Sequence, residues 1–316
     1  MTQALRDSNT AEAARRLVVA ICTCRIDDLR ARWKHIAAQF DDEELYVVID
    51  RTESREVNAV ASDIRSCGGT VRVLGATHGL SNARNLVLDA RPDHCILYID
   101  DDVLFDRAAL AAVRAAFEDG AQVVGARLVP PCSVSDLPWY LTPGQMHLVG
   151  WHSSADTVKV WGACMGIDAR FAHAHGLRFD QRLGRTGRRL ESGDDSSFVA
   201  AMKRLGARET LLPSVHVIHE VSPTRFRLSY LLRRAYWQGR SEVRRDQPLT
   251  GTRKEWRRHW RLSPAPLTAV LAPGYMAAFM VGIATEIAAS AFGAAGAGRD
   301  RDQSSTRPYR QIARHL

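Results

Sequence analysis

Residues 95–103 read CILYIDDDV, an apolar run that ends in three consecutive carboxylates, Asp100, Asp101 and Asp102. The apolar part has the length and composition of a strand that is buried on both faces. Two carboxylates about 4 Å apart repel each other by roughly 4 kcal/mol near a protein surface. The acidic cluster must therefore be protonated, paired with a basic side chain, bound to a cation, or left solvated in a surface turn.

Three similar strand-like segments precede this one: LVVAICT at 17–23, ELYVVID at 44–50 and GGTVRVLGAT at 68–77. Segments with helical periodicity lie between them. Strands that alternate with helices over short connections predict a parallel, doubly wound α/β sheet. Ligands of such sheets bind beyond the carboxyl ends of the strands. Thr23, Asp50 and Asp100 all stand at such ends.

The composition is that of an ordinary globular protein. The chain has 316 residues, of which 46% are hydrophobic and 25% charged, which suits one large domain or two smaller ones. Residues 1–17 contain no apolar core, so we expect no secretion signal there. The six cysteines form no C-x-x-C pair, which predicts reduced thiols in a cytoplasmic protein. Cys22 and Cys24 would allow a weak metal site, but small side chains at a strand end explain their spacing better.

The positive charge is concentrated in one stretch of the chain. Residues 225–261 contain twelve Arg or Lys and three Asp or Glu, whereas the net charge of the whole chain is +8. The remainder of the sequence is therefore close to neutral. The basic character belongs to this C-terminal stretch and says nothing about the ligand of the main domain.

The order of several segments resembles a known family. A Thr-containing loop follows the first strand, an Asp ends the second, and GLSNARN (79–85), YIDDDV (98–103), WGACMGIDARF (161–171), LRFDQRLGRTGRRLESGDDSSF (177–198) and a late His follow in that order. This succession resembles the inverting, nucleotide-sugar-dependent glycosyltransferases of family 2, which have the GT-A fold. The resemblance covers about residues 17–240. It implies a mixed, mostly parallel sheet flanked by helices, with a C-terminal helical extension.

The composition and pattern of the sequence, together with the resemblance, predict four parts of the chain. Residues 1–15 would be a flexible N-terminus and 16–225 the GT-A catalytic domain. Residues 226–297 would form a basic and then apolar helical extension, and 298–316 a flexible tail.

A divalent cation is the implied partner of the acidic cluster. Asp100 and Asp102 match the D-x-D motif of the family, and residues two apart on an extended segment point the same way. Their hard oxygens suit Mn²⁺ or Mg²⁺, and His219 matches a family histidine near the metal or diphosphate. A lone His after a strand is more often structural, and three consecutive acids can simply be solvated.

The implied donor-binding residues lie at the strand ends and in the following helix; they are Thr23, Arg25, Asp50, Arg84, Asn85, Asp100, Asp101 and Trp161. Asp50 matches an acid that accepts a hydrogen bond from the nucleobase, most often uracil, although a turn or N-cap Asp is the plainer alternative. Arg84 could meet phosphate oxygens with two donors or could be solvated. The helix that carries it is predicted to have Ser81 or Asn82 as its N-cap. Trp161 is either a sugar-stacking ring or a buried aromatic.

The family pattern places the catalytic acids in GDDSSF. Asp195 corresponds to the base that takes the proton of the acceptor hydroxyl, and Asp194 stands where the family usually has Glu. A carboxylate neighbour raises the pKa of a carboxyl group, which helps a base that works near neutral pH. The alternative is that one acid caps the following helix. Further along the chain, Arg225 and Arg233 are expected to reach the diphosphate.

The apolar C-terminal stretch allows three interpretations. Residues 264–297 could form a helical hairpin on the catalytic domain, a peripheral membrane anchor or a membrane span, although Pro266, Pro273 and Glu286 interrupt them. RKEWRRHWR at 253–261 interleaves Trp with Arg, as interfacial segments do. We therefore expect peripheral membrane contact through 253–297 as one alternative, at the inner face of the membrane. No nucleic-acid motif accompanies the basic residues, so no nucleic-acid partner is expected.

The sequence thus predicts a metal-dependent, inverting transferase that moves a sugar from a nucleotide-diphosphate donor, such as a UDP-sugar, to an acceptor hydroxyl. That hydroxyl could belong to a lipid carrier, a glycan or a natural product. Two rivals are a nucleotidyltransferase on a related sheet and a non-enzymatic basic scaffold at membranes. The first would need a Gly-rich, Lys-bearing loop after strand one, which ICTCRIDD (21–28) lacks.

Overall fold

The computed structural model of the chain describes residues 16–185, 189–245 and 265–296, and for 265–272 and 291–296 it describes the backbone alone. The segments predicted to be flexible, 1–15 and 298–316, lie outside the described residues. Residues 246–264, which include the C-terminal part of the basic stretch 225–261, also lie outside them.

Eight strands within the described residues form one mixed sheet. In chain order they are β1 (Leu17–Thr23), β2 (Glu44–Ile49), β3 (Thr70–Val73), β4 (Cys95–Ile99), β5 (Val103–Leu104), β6 (Val123–Val129), β7 (Cys164–Asp168) and β8 (Glu209–His219). Their order across the sheet is β3-β2-β1-β4-β7-β6-β8-β5. The pairs among β1 to β4 are parallel, as are β6 and β8, whereas β7 is antiparallel to both its neighbours and β5 is antiparallel to β8. The prediction of a mixed α/β sheet is confirmed.

The helices of the described residues are α1 (Ile26–Ala37), α2 (Arg55–Ser66), α3 (Leu80–Ala90), α4 (Arg107–Glu118), α5 (Met146–Val149), α6 (Ala169–Ala174), α7 (Asp194–Arg204), α8 (Leu228–Arg244) and α9 (Ala265–Gly296). The predicted N-cap of α3 is wrong. The helix begins earlier, after Gly79, whose φ of 95° is favourable only for glycine. Ser81 consequently lies inside the first turn, where its side chain is buried.

Both faces of the sheet are covered by helices, as the continuous apolar runs predict. Along β1, Leu17, Val19 and Ile21 pack with side chains of α1, α2 and α4. The alternate residues Val18 and Ala20 pack with side chains of α3, α6 and α7. Every β1 residue is buried, because a strand inside a doubly covered sheet has no solvent face. This core fixes the strand ends that carry the acidic residues.

The C-terminal helices α8 and α9 form a closely packed pair. A Cβ on Gly282 would lie 1.9 Å from the backbone oxygen of Tyr236, and a Cβ on Gly239 would lie 2.0 Å from that of Phe279. The two backbones therefore touch where both helices have glycine. Tyr275 of α9 also joins a cluster with Trp151 and residues of α8. The C-terminal helical extension predicted from the sequence is present.

Within the part of the chain that the structure describes, none of the helices combines the length and apolar character required to cross a bilayer.

Candidate active site

The three carboxylates after β4 have different environments. Asp100 is partly exposed and faces a cleft, whereas Asp101 and Asp102 are buried. The Asp100 backbone N–H donates to the carbonyl of Ala163 at 3.3 Å, whereas the carboxylates of Asp101 and Asp102 both contact Arg25. The cluster is therefore neither fully solvated nor a set of equivalent ligands.

Asp101 joins the loop that leaves β1. The hydroxyl of Thr23 and the guanidinium of Arg25 both donate to its carboxylate. Thr23 also accepts the Arg25 backbone N–H at 2.8 Å. Burial raises the pKa of Asp101 to about 7, although Arg25 and the Thr23 hydrogen bond act in the opposite direction. Three of the predicted donor-binding residues are thus brought together, in a contact that ties two strand ends to each other.

Asp102 lies at the centre of a charged group. One carboxylate oxygen is 3.1 Å from Nε2 of His219, and the other is 2.9 Å from Arg25 and 3.3 Å from Arg225. Burial opposes its charge, but the His219 hydrogen bond and the two guanidinium groups hold the pKa of Asp102 well below its ordinary value. These contacts consequently favour the carboxylate form of Asp102.

Asp100, Asp102 and His219 could hold a divalent cation. One ligand atom from each lies within 4.8 Å of the other two, which is the only such group of His, Cys, Asp or Glu side chains in the described ranges. Nδ1 of His219 lies 3.1 Å from the carbonyl of Gly150. Because a carbonyl can only accept, Nδ1 carries a proton, and Nε2 is the ring nitrogen that faces Asp102, where it would ligate a cation. This donor set fits Mn²⁺ better than Mg²⁺, since Mg²⁺ prefers oxygen alone.

The Cys22 and Cys24 alternative has no support from the geometry. Cys22 is buried and Cys24 is exposed, and burial raises the pKa of Cys22 to about 12. A thiol with that pKa does not supply the thiolate that metals bind.

Arg84 connects the two acidic parts of the cleft. Its guanidinium lies 2.7 Å from Asp194 and 3.8 Å from Asp100, and the side chain is almost fully buried. A Cβ at Gly162 would lie 2.1 Å from an Arg84 nitrogen, so glycine is required for this packing. The guanidinium thus lines the cleft between a half-exposed acid and a buried one.

Asp194 is held inside the protein. Besides its ion pair with Arg84, it accepts a hydrogen bond from the hydroxyl of Ser81 at 3.1 Å. Burial raises the pKa of Asp194, and neighbouring Asp195 acts in the same direction while Arg84 opposes it. These contacts fasten the start of α7 to α3.

Asp195 lies in the first turn of α7, is half-buried and lines the same cleft as Asp100. One oxygen accepts the backbone N–H of Gly162 at 2.7 Å, and the other accepts the N–H of Ser196 at 2.6 Å. Gly162 is adjacent to Ala163, whose carbonyl accepts from Asp100. The two acids therefore flank one short segment of backbone and meet in one cleft.

Trp161 also lines the cleft and is half-buried. Its ring stacks on His152, with centroids 4.1 Å apart and planes 14° apart. His152 is buried, and burial lowers its pKa to about 4. This stacking fixes the orientation of the indole beside the cleft.

Two of the predicted donor-binding residues, Asp50 and Asn85, form hydrogen bonds with backbone groups of the protein itself. Asp50 accepts the backbone N–H groups of His78 and Gly79, both at 2.7 Å, and so shapes the turn before α3. The Asn85 amide donates to and accepts from the backbone of Phe179. Neither side chain lines the cleft that contains Asp100 and Asp195.

Helix α8 carries a polar stripe that was not predicted from the sequence. Arg234, Gln238, Glu242 and Arg245 line the cleft, and their spacing of three or four residues places them on one helical face. Arg233, which was predicted from the sequence to reach the diphosphate, is exposed and does not line the cleft. The periodicity of the stripe could have identified its members.

The family model described as glycosyl transferase family 2 matches residues 17–176. A mannosyltransferase, PcManGT from Pyrobaculum calidifontis in complex with GDP-Man and Mn²⁺, aligns with a TM-score of 0.54 at 18% identity, over 90% of this chain and 81% of that one. S. aureus TarS, as a 1–349 fragment, aligns with a TM-score of 0.50 at 11% identity, over 85% and 90% of the two chains. No curated protein sequence matches.

Proposed function

The chain belongs to glycosyl transferase family 2, and on that premise we propose that it transfers a sugar from a nucleotide-diphosphate donor to an acceptor hydroxyl, with inversion and with a divalent cation. Membership makes it a glycosyltransferase, and its GT-A architecture is that of the solved structures it resembles. The nucleotidyltransferase and the non-enzymatic scaffold are therefore set aside.

The observation that carries this proposal is the shared cleft of Asp195 and Asp100. The side chain of Asp195 lies at the cleft surface, where the backbone N–H groups of Gly162 and Ser196 donate to its two oxygens. Asp194 is committed to Arg84 instead. The proposal therefore assigns the base to Asp195 and gives Asp194 the role of holding Arg84 and the start of α7.

The proposed chemical step is a single displacement. The acceptor hydroxyl oxygen attacks the anomeric carbon from the face opposite the leaving group, and its proton passes to an oxygen of Asp195. The bond between the anomeric carbon and the phosphate oxygen breaks, and its electron pair leaves with the nucleoside diphosphate. Attack from the opposite face inverts the anomeric configuration. A positioned carboxylate base contributes a factor of about 10²–10⁴ to such a rate.

Asp100, Asp102 and His219 would hold the cation. When bound, it would neutralise developing charge on the diphosphate. The protein residues around it supply further positive charge, since Arg25 and Arg225 already contact Asp102 and Arg84 lies next to Asp100. These guanidinium groups are suited to bind phosphate oxygens of the donor.

The donor base is proposed to be uracil, with Asp50 as its partner. One aligned structure contains GDP-Man and Mn²⁺, which supports a nucleotide sugar with a cation but not this choice of base. Asp50 is already engaged with two backbone N–H groups, so any contact with a base would use the remaining lone pairs of its carboxylate. A comparison of nucleotides decides this point.

The placement of the enzyme is also part of the proposal. All six cysteines are free, which supports a reducing cytoplasm. Met280, Val281 and Ile287 are exposed on α9, which supports peripheral membrane contact through 253–297, although 253–264 lie outside the described residues. A lipid carrier, a glycan and a small natural product all remain candidate acceptors.

The test is incubation of the full chain with UDP-, GDP- and dTDP-sugars, with Mn²⁺ or with EDTA. We expect metal-dependent release of the nucleoside diphosphate and a product of inverted anomeric configuration by NMR. Release that is equally fast in EDTA would refute the metal site, and retention of configuration would refute the single-displacement mechanism. Preference for GDP or dTDP over UDP would refute the uracil assignment of Asp50.

A further inference from the structure

The loop that leads into α7 is held by side chains of α8. The hydroxyl of Ser192 donates to the side-chain oxygen of Gln238 at 2.8 Å, and the backbone N–H of Ser192 donates to the hydroxyl of Ser241 at 3.1 Å. Glu191, which is almost fully buried, is ion-paired with Arg244. Gly193 then adopts a φ of 98° before α7 begins. The residues that precede Asp195 therefore depend on α8 for their position.

Arg244 is in turn held by α9. Its Nε lies 2.7 Å from one oxygen of Glu286, and another of its nitrogens lies 3.2 Å from the second oxygen. A third nitrogen donates to Glu191 and to the carbonyl of Arg182. The guanidinium of Arg244 is thus held between Glu286 of α9 and Glu191 of the loop before α7.

Glu286 is a charged residue in an otherwise apolar part of α9. It is 8% exposed, and Arg240 binds it as well, with nitrogens at 2.6 and 2.7 Å. Burial opposes its charge, but hydrogen bonds from Arg244 and Arg240 hold the pKa of Glu286 below its ordinary value. A buried carboxylate with two guanidinium partners is costly to form. Packing alone would not require it, because an apolar residue would fill the same position.

The distance between α8 and α9 is fixed independently of these charges. Gly239 and Gly282 let the backbones touch, so the backbone that carries Glu286 is held close to the helix that carries Arg244. The chain of contacts therefore runs from the backbone of α9 through Glu286, Arg244 and Glu191 to the loop in front of the base.

We propose that Glu286 is a positioning residue for Asp195: it fixes Arg244, which fixes Glu191 and the 191–193 loop, so that α9 is part of the catalytic unit. The inference rests on the proposed function, in which Asp195 is the base. Misplacement of a reacting group by about 1 Å can lower a rate by about 10²-fold. We expect loss of Glu286 to lower kcat by about tenfold or more, with little change in donor binding.

The matched variants are Glu286→Gln and Arg240→Gln. The first preserves shape but removes the charge that holds both arginines. The second removes one ion pair between α8 and α9 and leaves the Glu286–Arg244–Glu191 contacts in place. A purely structural role of α9 would make the two variants similar, whereas the positioning role makes only Glu286→Gln affect the loop.

Two measurements on the full chain separate these outcomes. Amide hydrogen exchange of the peptide covering 190–199 should become faster in Glu286→Gln and stay within twofold of wild type in Arg240→Gln. In transfer assays, kcat should fall only in Glu286→Gln, with Kd for nucleotide and Mn²⁺ unchanged in both variants. Unchanged exchange, or faster exchange with unchanged kcat, would overturn the proposal.

Two further designs keep the result interpretable. If Glu286→Gln does not fold, Arg244→Lys preserves a positive charge with fewer hydrogen bonds, and the same increase in exchange and decrease in kcat are expected. If the wild-type chain transfers no sugar from any donor, the proposed function fails, and the exchange comparison alone decides whether Glu286 holds the loop.

Discussion

Protonation of His152 should destabilise the fold in acid. The ring is buried and stacked on Trp161. Its Nδ1 accepts the backbone N–H of Leu128 at 2.9 Å, so the single proton of the neutral ring is on Nε2, which lies 3.2 Å from the backbone nitrogen of Lys159. A proton added to the ring would place N–H against N–H. Burial accordingly lowers the pKa of His152 from 6.5 to about 4.

The sign and size of the effect follow from linkage. Between pH 6.5 and 4 the unfolded chain binds a proton at His152 that the folded chain does not bind, so stability falls as the pH falls. Each unit of pKa difference corresponds to about 1.4 kcal/mol. The shift of His152 therefore removes about 2 to 3 kcal/mol between pH 7.5 and pH 4.5, and very little above pH 7.

The assay is urea unfolding at pH 7.5 and pH 4.5 for wild type, His152→Asn and His175→Asn. Asn at 152 can still accept the Leu128 N–H but cannot be protonated. His175 is exposed and serves as the matched control. We expect His152→Asn to lose about 2 to 3 kcal/mol less than wild type on acidification, and His175→Asn to follow wild type. Identical pH dependence in all three chains would refute the reasoning.

Two further predictions concern the cleft. Gly162→Ala should destabilise the fold by about 1 to 3 kcal/mol and weaken nucleotide binding, because the new methyl group overlaps Arg84. The control is Gly274→Ala, whose methyl group would have its nearest neighbour at 3.9 Å; urea unfolding should show it to be neutral or stabilising. Equal effects of the two changes on stability would contradict this prediction. Asp102→Asn should abolish the thermal shift that Mn²⁺ produces with a nucleoside diphosphate, and a persistent shift would show that the cation binds elsewhere.

The sheet was predictable because its strands are continuous β-branched runs. LVVAICT and CILYI are buried on both faces, and short connections between such runs permit few arrangements. The start of α3 was not predictable in the same way. It depends on the turn that Asp50 stabilises by accepting two backbone N–H groups, and that tertiary contact replaces the side-chain cap that local sequence suggested.

The candidate site was predictable where it lies at strand ends. Carboxyl ends of parallel strands share one edge, so Thr23 and the acidic cluster could be placed together. The contribution of α8 could not be found in this way, because it depends on how a distant helix is rotated against the loop before α7. One residue along a helix corresponds to about 100° of rotation, which separates the cleft-lining Arg234 from the exposed Arg233.

The most direct test of the account is the rate of donor consumption by Asp195→Asn, measured together with its affinity for the nucleotide and Mn²⁺. Asn retains the shape and the acceptor for Gly162 but cannot take a proton from the acceptor hydroxyl. We expect the rate of Asp195→Asn to be lower than that of wild type by a factor of about 10²–10⁴, with unchanged affinity. The control variant Asp27→Asn, on an exposed face of α1, should react like wild type. Turnover of Asp195→Asn at the wild-type rate would contradict the assignment of the base.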